Sequence, residues 1–537
     1  MAESDGSSPS EEKDIIVPTG ATPDEFPHSL RLVLLVGAVM LTVWIVALDQ
    51  TIVGTAIPRI TDEFHGIEDV SWYGAAYFLC LGGFQSSWGK AFRYFPLKTS
   101  FLVSLFIFEL GSLVCGLAPS SKAFIAGRAI AGVGGAGVTG GATVIFAVSV
   151  EPRRRPNLNA LIGVAYLLGA VLGPLIGGGF ADGVTWRWCF YINLPVGGLA
   201  AALVVIFFRP PVRDTKDAET PLAVKLRHMD LVGAVLVMGA VVCFILAMQY
   251  GGVTDSWGSG VVVGLLVGCV LITTALGAWE YFEDEYAMLP PRLLRHRWLW
   301  AGGLFQLFYA GTYFVLLYYL PIYFQSIRGV DALGSAVDTL PLMLAGFVSM
   351  MIGGVVITVT GHAMPFMVLS SAIITVGNGL LFTLNTHTPS AKWIGYQVLV
   401  GFPMSFSFQN SLNILQANAA PEDLPTATTV NFLFQQLGGG LGVAAAQAAF
   451  ANRLLVNLAV LAPEVDPHMV LTTGAAELQS VFSGPLLGGV VASYMQGIKT
   501  VFAFAIGLSG MAFLMGLLVP AKRLHKPAAA TVADVDT

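Results

Sequence analysis

Leu168-Gly169-Ala170-Val171-Leu172-Gly173 is matched by Leu437-Gly438-Gly439-Gly440-Leu441-Gly442, 269 residues further along the chain. At the same offset Gly132 meets Gly401, Pro152 meets Pro421 and Pro156 meets Pro425. A six-residue pattern and two loop prolines at one spacing point to a duplicated unit. Both copies of the pattern lie inside long apolar runs, so the duplication is of helices that use lipid as solvent.

Composition supports that reading. A length of 537 residues would allow two or three soluble domains. Charged residues make up only 11% and AVILMFWYC residues 55%, against about 25% charged in soluble domains. Mean hydropathy is +0.73. The net charge of −6 is mild and suggests no nucleic-acid partner. Apolar runs of about 20 residues, enough to cross a roughly 30 Å hydrocarbon core as helix, are expected near 31–56, 70–92, 98–118, 124–148, 158–180, 188–208, 230–250, 260–280, 299–322, 334–359, 363–384, 391–412, 427–450 and 497–519. The expected fold is an all-α integral membrane protein of about fourteen transmembrane helices. Its expected parts are a disordered tail at 1–29, a six-helix bundle at 30–208, a linker with two inserted helices at 209–298, a second bundle at 299–520 and a tail at 521–537. The segment 451–496 is expected as a long extracytosolic loop, with a turn and short helix suggested by Asp466-Pro467 and Gly474-Ala475-Ala476-Glu477.

Basic residues set the expected orientation. One set of loops holds Lys90, Arg93, Lys98, Arg153 to Arg155, Arg209, Arg213, Lys216, Lys225, Arg227, Arg292, Arg295 and Arg297. The opposite set holds only Arg59, Lys122, Arg187, Arg328, Lys392, Arg453 and Lys499. The positive-inside rule then places both termini in the cytosol. Residues 1–29 lack the basic start and short apolar stretch of a signal peptide. Cys80, Cys115, Cys189, Cys243 and Cys269 each sit in an apolar run without C-x-x-C spacing and read as small buried hydrophobes.

The fifth run contains Gly169-x-x-x-Gly173-Pro174-x-x-Gly177-Gly178. Gly169, Gly173 and Gly177 form one smooth ridge that lets helices approach closely in lipid, and Pro174 removes a backbone donor. This pattern resembles the antiporter signature of the major facilitator superfamily. Further stretches widen the resemblance: Leu48-Asp49-Gln50-Thr51-Ile52-Val53-Gly54-Thr55-Ala56-Ile57-Pro58, Gly127-Arg128, Trp186-Arg187-Trp188 through Leu194-Pro195, and Tyr318-Tyr319-Leu320-Pro321. Together they resemble the fourteen-helix drug:proton antiporters, above all fungal efflux pumps for toxins and secondary metabolites, over residues 30–525. The loop after the second helix departs from that family's pattern. It reads Gly89-Lys90-Ala91-Phe92-Arg93-Tyr94-Phe95-Pro96-Leu97-Lys98, without the usual Asp, which puts a carboxylate latch there in doubt.

Charges within the bilayer are costly and become functional candidates. Asp49, Arg128 and Glu109 are placed to meet at mid-to-outer depth. A buried carboxylate beside an arginine can exchange its charge for a proton. Asp49 and Arg128 are therefore the expected proton-coupling pair, with Glu109 and Asp338 as weaker candidates; the alternative is a static ion pair. Repeated halves place a binding site at the midplane. Phe305, Gln306, Tyr309 and Tyr313 of helix 9, Gln409, Asn410 and Asn413 of helix 12, and Asn431, Gln435 and Gln436 of helix 13 are the expected substrate wall. Interhelical hydrogen bonding is the plain alternative for each amide. Such a wall suits a mostly neutral lipophilic organic molecule. Gly132-Val133-Gly134-Gly135-Ala136-Gly137 fits G-x-G-x-x-G but has no preceding strand. The eight histidines are scattered, so neither cofactor nor metal is expected, and no catalytic constellation suggests an enzyme. The resemblance implies proton-coupled efflux in 6+2+6 arrangement at a fungal plasma membrane, by a chain that needs no partner subunit. An importer or vacuolar transporter on the same fold, for siderophores or basic amino acids, is the nearest rival. A receptor or channel is the next.

Overall fold

The computed structural model describes residues 29–64, 70–151, 154–210, 229–330, 332–473, 478–521 and 523–524. Of the expected tail at 1–29 all but Ser29, which begins α1, lies outside the described residues, as do the linker stretch 211–228, Gly474 to Glu477 and nearly all of the C-terminal tail. In chain order the helices are α1 (Ser29–Phe64), α2 (Val70–Gly83), α3 (Gln85–Tyr94), α4 (Leu97–Leu117), α5 (Ser121–Ser149), α6 (Arg155–Gly183), α7 (Trp188–Tyr191), α8 (Asn193–Phe207), α9 (Leu231–Tyr250), α10 (Gly260–Glu283), α11 (Pro291–Leu294), α12 (Arg297–Arg328), α13 (Ala332–Thr360), α14 (Met364–Phe382), α15 (Ser390–Ser407), α16 (Asn410–Asn418), α17 (Leu424–Leu461), α18 (Pro467–Thr472), α19 (Leu478–Val481) and α20 (Gly484–Leu518). The end of the bundle at which α1 starts is the near end, and the other is the far end.

Helix boundaries follow local chemistry. Ser120 and Ser259 cap α5 and α10 by accepting from the amides of Ala123 and Val262. Asp230 caps α9 from a left-handed conformation, φ +50°, accepting from Gly233 N at 2.9 Å. Gly329, φ +67°, ends α12, where a side chain would be strained.

Among the described residues, twelve helices are long and apolar enough to cross a membrane. Two further helices, compatible with the expected count of about fourteen, are split. The first is α2 and α3, which meet at Phe84. The hydrogen-bond ladder runs on through the break, with Phe84 N to Cys80 O at 3.0 Å and Trp88 N to Phe84 O at 3.1 Å. The second is α15 and α16, which meet at Phe408 and Gln409 one turn after Pro403. Both second segments are rich in buried polar side chains, including Gln85, Ser86 and Lys90 in α3 and Asn410, Ser411 and Asn413 in α16. That polarity keeps them from reading as continuous apolar spans.

The helices flanking the expected long loop run further than expected. α17 has 38 residues and α20 has 35. At 1.5 Å per residue each spans more than about 50 Å and outreaches the hydrocarbon core. Leu454, Leu455 and Leu458 on one side and Leu486, Leu487 and Val490 on the other continue the apolar pattern, so only 462–483 separates the two helices.

Two cores hold the bundle together. One is built from α1 to α8, with Phe92, Phe101 and Phe108 among its buried rings. The other draws on α12 to α20, with Tyr309, Tyr319 and Phe324, and takes in Ala160 and Val164 of α6. The same contact recurs in each. A Cβ on Gly169 would lie 2.6 Å from Trp44 O, and one on Gly173 would lie 2.0 Å from Thr51 Oγ1, so α6 is pressed onto α1. Gly438 and Gly442, the residues at the 269 offset, press α17 onto α12 against Leu307 O (2.0 Å) and Gly311 Cα (3.0 Å). The inserted pair stands apart: α9 touches α2, α3, α10 and α17, while α10 buries only Val262 and Glu280.

Candidate functional site

Arg128 of α5 donates from Nη1 to Asp49 Oδ2 of α1 at 2.5 Å, and both side chains are fully buried. Its Nε donates to Tyr73 O at 2.9 Å, and its guanidinium lies 4.3 Å above the Tyr77 ring. Asn193 of α8 donates to Asp49 Oδ1 at 3.3 Å and to Ser112 Oγ at 3.0 Å. One carboxylate thus ties α1 to α5 and α8, and the arginine adds α2. In so dry a site, adding a proton to Asp49 leaves the Arg128 charge without its counter-ion.

Among the described residues neither of the other acidic candidates hydrogen-bonds to this cluster, although Glu109 lies within electrostatic reach of Asp49. The Glu109 carboxylate lies against Gly197 of α8, where a Cβ would meet Oε1 at 1.7 Å, and neither oxygen is hydrogen-bonded among the described residues. Asp338 lies in the second turn of α13, where its backbone carbonyl accepts from Gln397 Nε2 at 2.8 Å. Within the motif, Gly169 and Gly173 contact α1 on both sides of Leu48, and Gly177 O lies 3.8 Å from Cys189 Sγ. A Cβ on Gly178 would meet nothing within 4 Å.

A central cavity of about 30 Å³ lies between the two cores. Of the expected wall, Tyr313, Gln409, Gln435 and Gln436 line it. The rest are packed elsewhere. Phe305 and Tyr309 stack at 4.9 Å, with the Tyr309 hydroxyl donating to the Pro403 and Met404 carbonyls. Gln306 donates to Gln435 at 3.2 Å, and Asn410 donates to Ser407. Asn431 is buried with neither amide atom hydrogen-bonded among the described residues. Asn413 belongs to the seam between the cores, accepting from Asn159 of α6 at 2.8 Å. The sequence reading missed the wall supplied by the first half: Thr139, Gly163, Tyr166 and Leu167. Tyr166 donates to Gln50 Oε1 at 2.5 Å, beside Asp49 in the chain.

The seam is closed at the near end. Thr358 donates to Asn157 Oδ1 at 3.0 Å, and Asn159 also reaches Gln416 at 3.0 Å. Gly354 sits where a Cβ would lie 2.7 Å from Ala160 Cβ, and Gly89 of α3 sits directly on Thr429 of α17. The loop that lacks the family's Asp makes its cross-links through cations instead. Arg93 lies 3.7 Å from Asp423, which also accepts from Arg292 at 2.8 Å. Lys90 donates to Tyr286 O, and Ser86 donates to Met288 O at 2.8 Å. At the far half of α6, by contrast, Gly178, Gly179 and Gly183 have no atom within 4 Å of an added Cβ.

Asp423→Asn removes the negative charge shared by two partly exposed arginines. Screening limits the loss to roughly 1 kcal/mol, or about a fivefold shift toward an open near end. A cysteine at Thr139 should then react with a maleimide from the near side about fivefold faster than in the Asp423 parent, and an unchanged rate would remove Asp423 from the closure.

Beyond the pair, the far end of the first core is held by Glu63. It accepts from Arg187 at 2.9 Å and from Trp186 Nε1 at 2.7 Å. The Arg187 hydrogen bond holds the Glu63 carboxyl below its usual range. A lowered carboxylate stabilises the fold above its unfolded pKa and loses that contribution only as pH falls through the folded value.

A bundle of membrane-crossing helices, built from two cores with the same glycine contact and a cavity between them, has the architecture of a polytopic transporter. The Major Facilitator Superfamily profile matches residues 39–443, and the chain belongs to that family. It is 58% identical over 497 residues to the MFS-type transporter thnB of Trichoderma harzianum, covering 92% of this chain and 85% of that one. It is 39% identical over 537 residues to the dehydrocurvularin exporter of Aspergillus terreus, covering 99% and 93%. Among solved structures, the human organic anion transporter MFSD10 (TETRAN) superposes with a TM-score of 0.60 at 14% identity, covering 92% of this chain and all of that one. That likeness shows the major facilitator fold.

Proposed function

We propose that this chain is a proton-driven exporter of small, mostly neutral lipophilic molecules, such as fungal secondary metabolites, toxins or drugs. It sits in the plasma membrane with both termini in the cytosol, so the near end faces the cytosol, and it works as a single chain. The observation that carries the coupling is the fully buried Asp49–Arg128 pair on the helix that α6 grips. Protonating Asp49 from the far side releases Arg128 and lets α1 shift. Gly169 and Gly173 pass that shift to α6, which carries Tyr166 on the cavity wall and Asn157, Asn159 and Ala160 at the near-end seam. One helix thus links proton, cavity and gate. The relatives with exporter names support the direction of transport.

Uptake into inverted plasma-membrane vesicles with an inside-acid gradient tests this reading, using a panel of fluorescent lipophiles and fungal metabolites. Accumulation that a protonophore abolishes is the expected result. No gradient-dependent flux from folded, correctly oriented protein would overturn multidrug antiport.

A further inference from the structure

A second cavity, of about 420 Å³, lies on the flank of the bundle between α2, α9, α12 and α17. It lies within the roughly 300–1,000 Å³ range of small-molecule sites, whereas the central cavity has room for about one water. Its depth is fixed by what lines it. α9 contributes Val237 through Gln249, the far two-thirds of its length, and α2 contributes Trp72 from its far-end turn. Val237, Met288 and Leu433 pack together at its near edge. The cavity therefore occupies the middle and far half of the membrane. Trp72 and Tyr318 on its wall are 37% and 47% exposed, which marks the side open to the bilayer.

One residue lines both cavities, and it is Gln436. It sits where α17 faces α2, with its Cβ 3.5 Å from the place a Cβ on Gly82 would take. The rest of the wall is apolar apart from Gln249, Gln447, the Tyr318 hydroxyl and the Trp72 indole N–H. Gln447 accepts from the Tyr319 hydroxyl at 2.6 Å, so the group it can still offer is its amide NH₂. An acyl chain has no partner for three amides and a phenol. A largely apolar ring system with one or two carbonyl or hydroxyl groups does.

We propose that this flank cavity is the discharge site of the exporter: a neutral lipophile leaves the central cavity past Gln436, is held between α2, α9, α12 and α17, and exits toward the far leaflet between Trp72 and Tyr318. The inserted helix α9 supplies the outer wall, which gives the insertion a function. This inference rests on the export reading and its orientation. The near-end seam is closed in this structure, as discharge on the far side requires.

Gly440 makes the test clean. It lines the cavity, and a Cβ there meets nothing within 4 Å, so Gly440→Phe adds bulk into empty space. Nile red, a neutral lipophilic fluorophore, is titrated onto the full chain in liposomes. Saturable binding is expected to weaken at least tenfold in Gly440→Phe. In inverted vesicles kcat for Nile red should fall at least fivefold while KM on the loading side changes less than twofold. Val242→Trp fills the same space from α9 and replaces Gly440→Phe if that variant does not fold. Equal binding by wild type and variant, or no saturable binding by wild type, overturns the proposal. So does a raised KM with kcat kept, which is the signature of a loading site. A phospholipid retained by wild type in native mass spectrometry, lost from Gly440→Phe and not displaced by Nile red, assigns the cavity to resident lipid and overturns it too. Binding lost in Gly440→Phe by a chain that pumps nothing sustains the binding site and sinks the export reading, so the two failures are told apart.

Discussion

Asp49→Asn should abolish gradient-driven transport, by at least about a hundredfold, while the protein still reaches the membrane. The side chain keeps its shape and can still accept from Asn193, but it can no longer exchange a proton. It also strands Arg128, which is fully buried. Removing one member of a buried pair costs about 3–5 kcal/mol, so lost transport alone would not separate coupling from stability. The double variant Asp49→Asn with Arg128→Gln does. It replaces a buried ion pair with two amides that can hydrogen-bond to each other, so no uncompensated buried charge remains. If the pair is only a clamp, the double variant recovers both thermal stability and transport. If Asp49 carries the proton, stability returns and gradient-driven transport does not. Recovery of both would sink the coupling role.

The second large effect lies at the glycine contacts, and the two halves should respond differently. Gly438→Ala drives a Cβ to 2.0 Å from the Leu307 carbonyl oxygen, which is helix backbone and cannot turn aside. Gly173→Ala drives a Cβ to the same distance from Thr51 Oγ1, a side-chain atom. Overpacking of this kind costs about 1–3 kcal/mol, more where only backbone can move. Gly438→Ala should therefore lose most folded protein, measured by detergent-resistant fluorescence chromatography of a tagged chain. Gly173→Ala should fold and transport poorly. Adding Thr51→Ala should restore Gly173→Ala and leave Gly438→Ala unimproved. Rescue of both, or of neither, would show that the ridge is not what sets the helix spacing.

The repeat that reveals the fold also held the half of the cavity that residue chemistry overlooked. A search for aromatic rings and amides found Gln435 and Gln436 but passed over the first half. Moving four of the eight wall residues of the second half back by 269 positions gives four of those in the first: Phe408 to Thr139, Phe432 to Gly163, Gln435 to Tyr166 and Gln436 to Leu167. All eight line the same space. They were hidden because the two walls have diverged in chemistry and kept only position. The Asp49–Arg128 pair was legible because a charge in lipid has few partners. Asn413 was misread for the opposite reason: an amide at a seam and an amide in a cavity look the same in sequence. The flank cavity had no sequence signal, since it exists only where α9 comes to rest on α2 and α17.

The stretch of α6 from Asn157 to Gly173 contains no proline; Pro156 precedes it and Pro174 follows it. Gate contacts, cavity wall and the grip on α1 all fall on this one unbroken rod. A rod transmits displacement without loss, whereas a hinge between its ends would let the proton step run idle. In the cycle proposed above, the stiffness of this rod sets how tightly a proton step is tied to the seam, and the hydrogen-bonded backbone itself keeps slippage low.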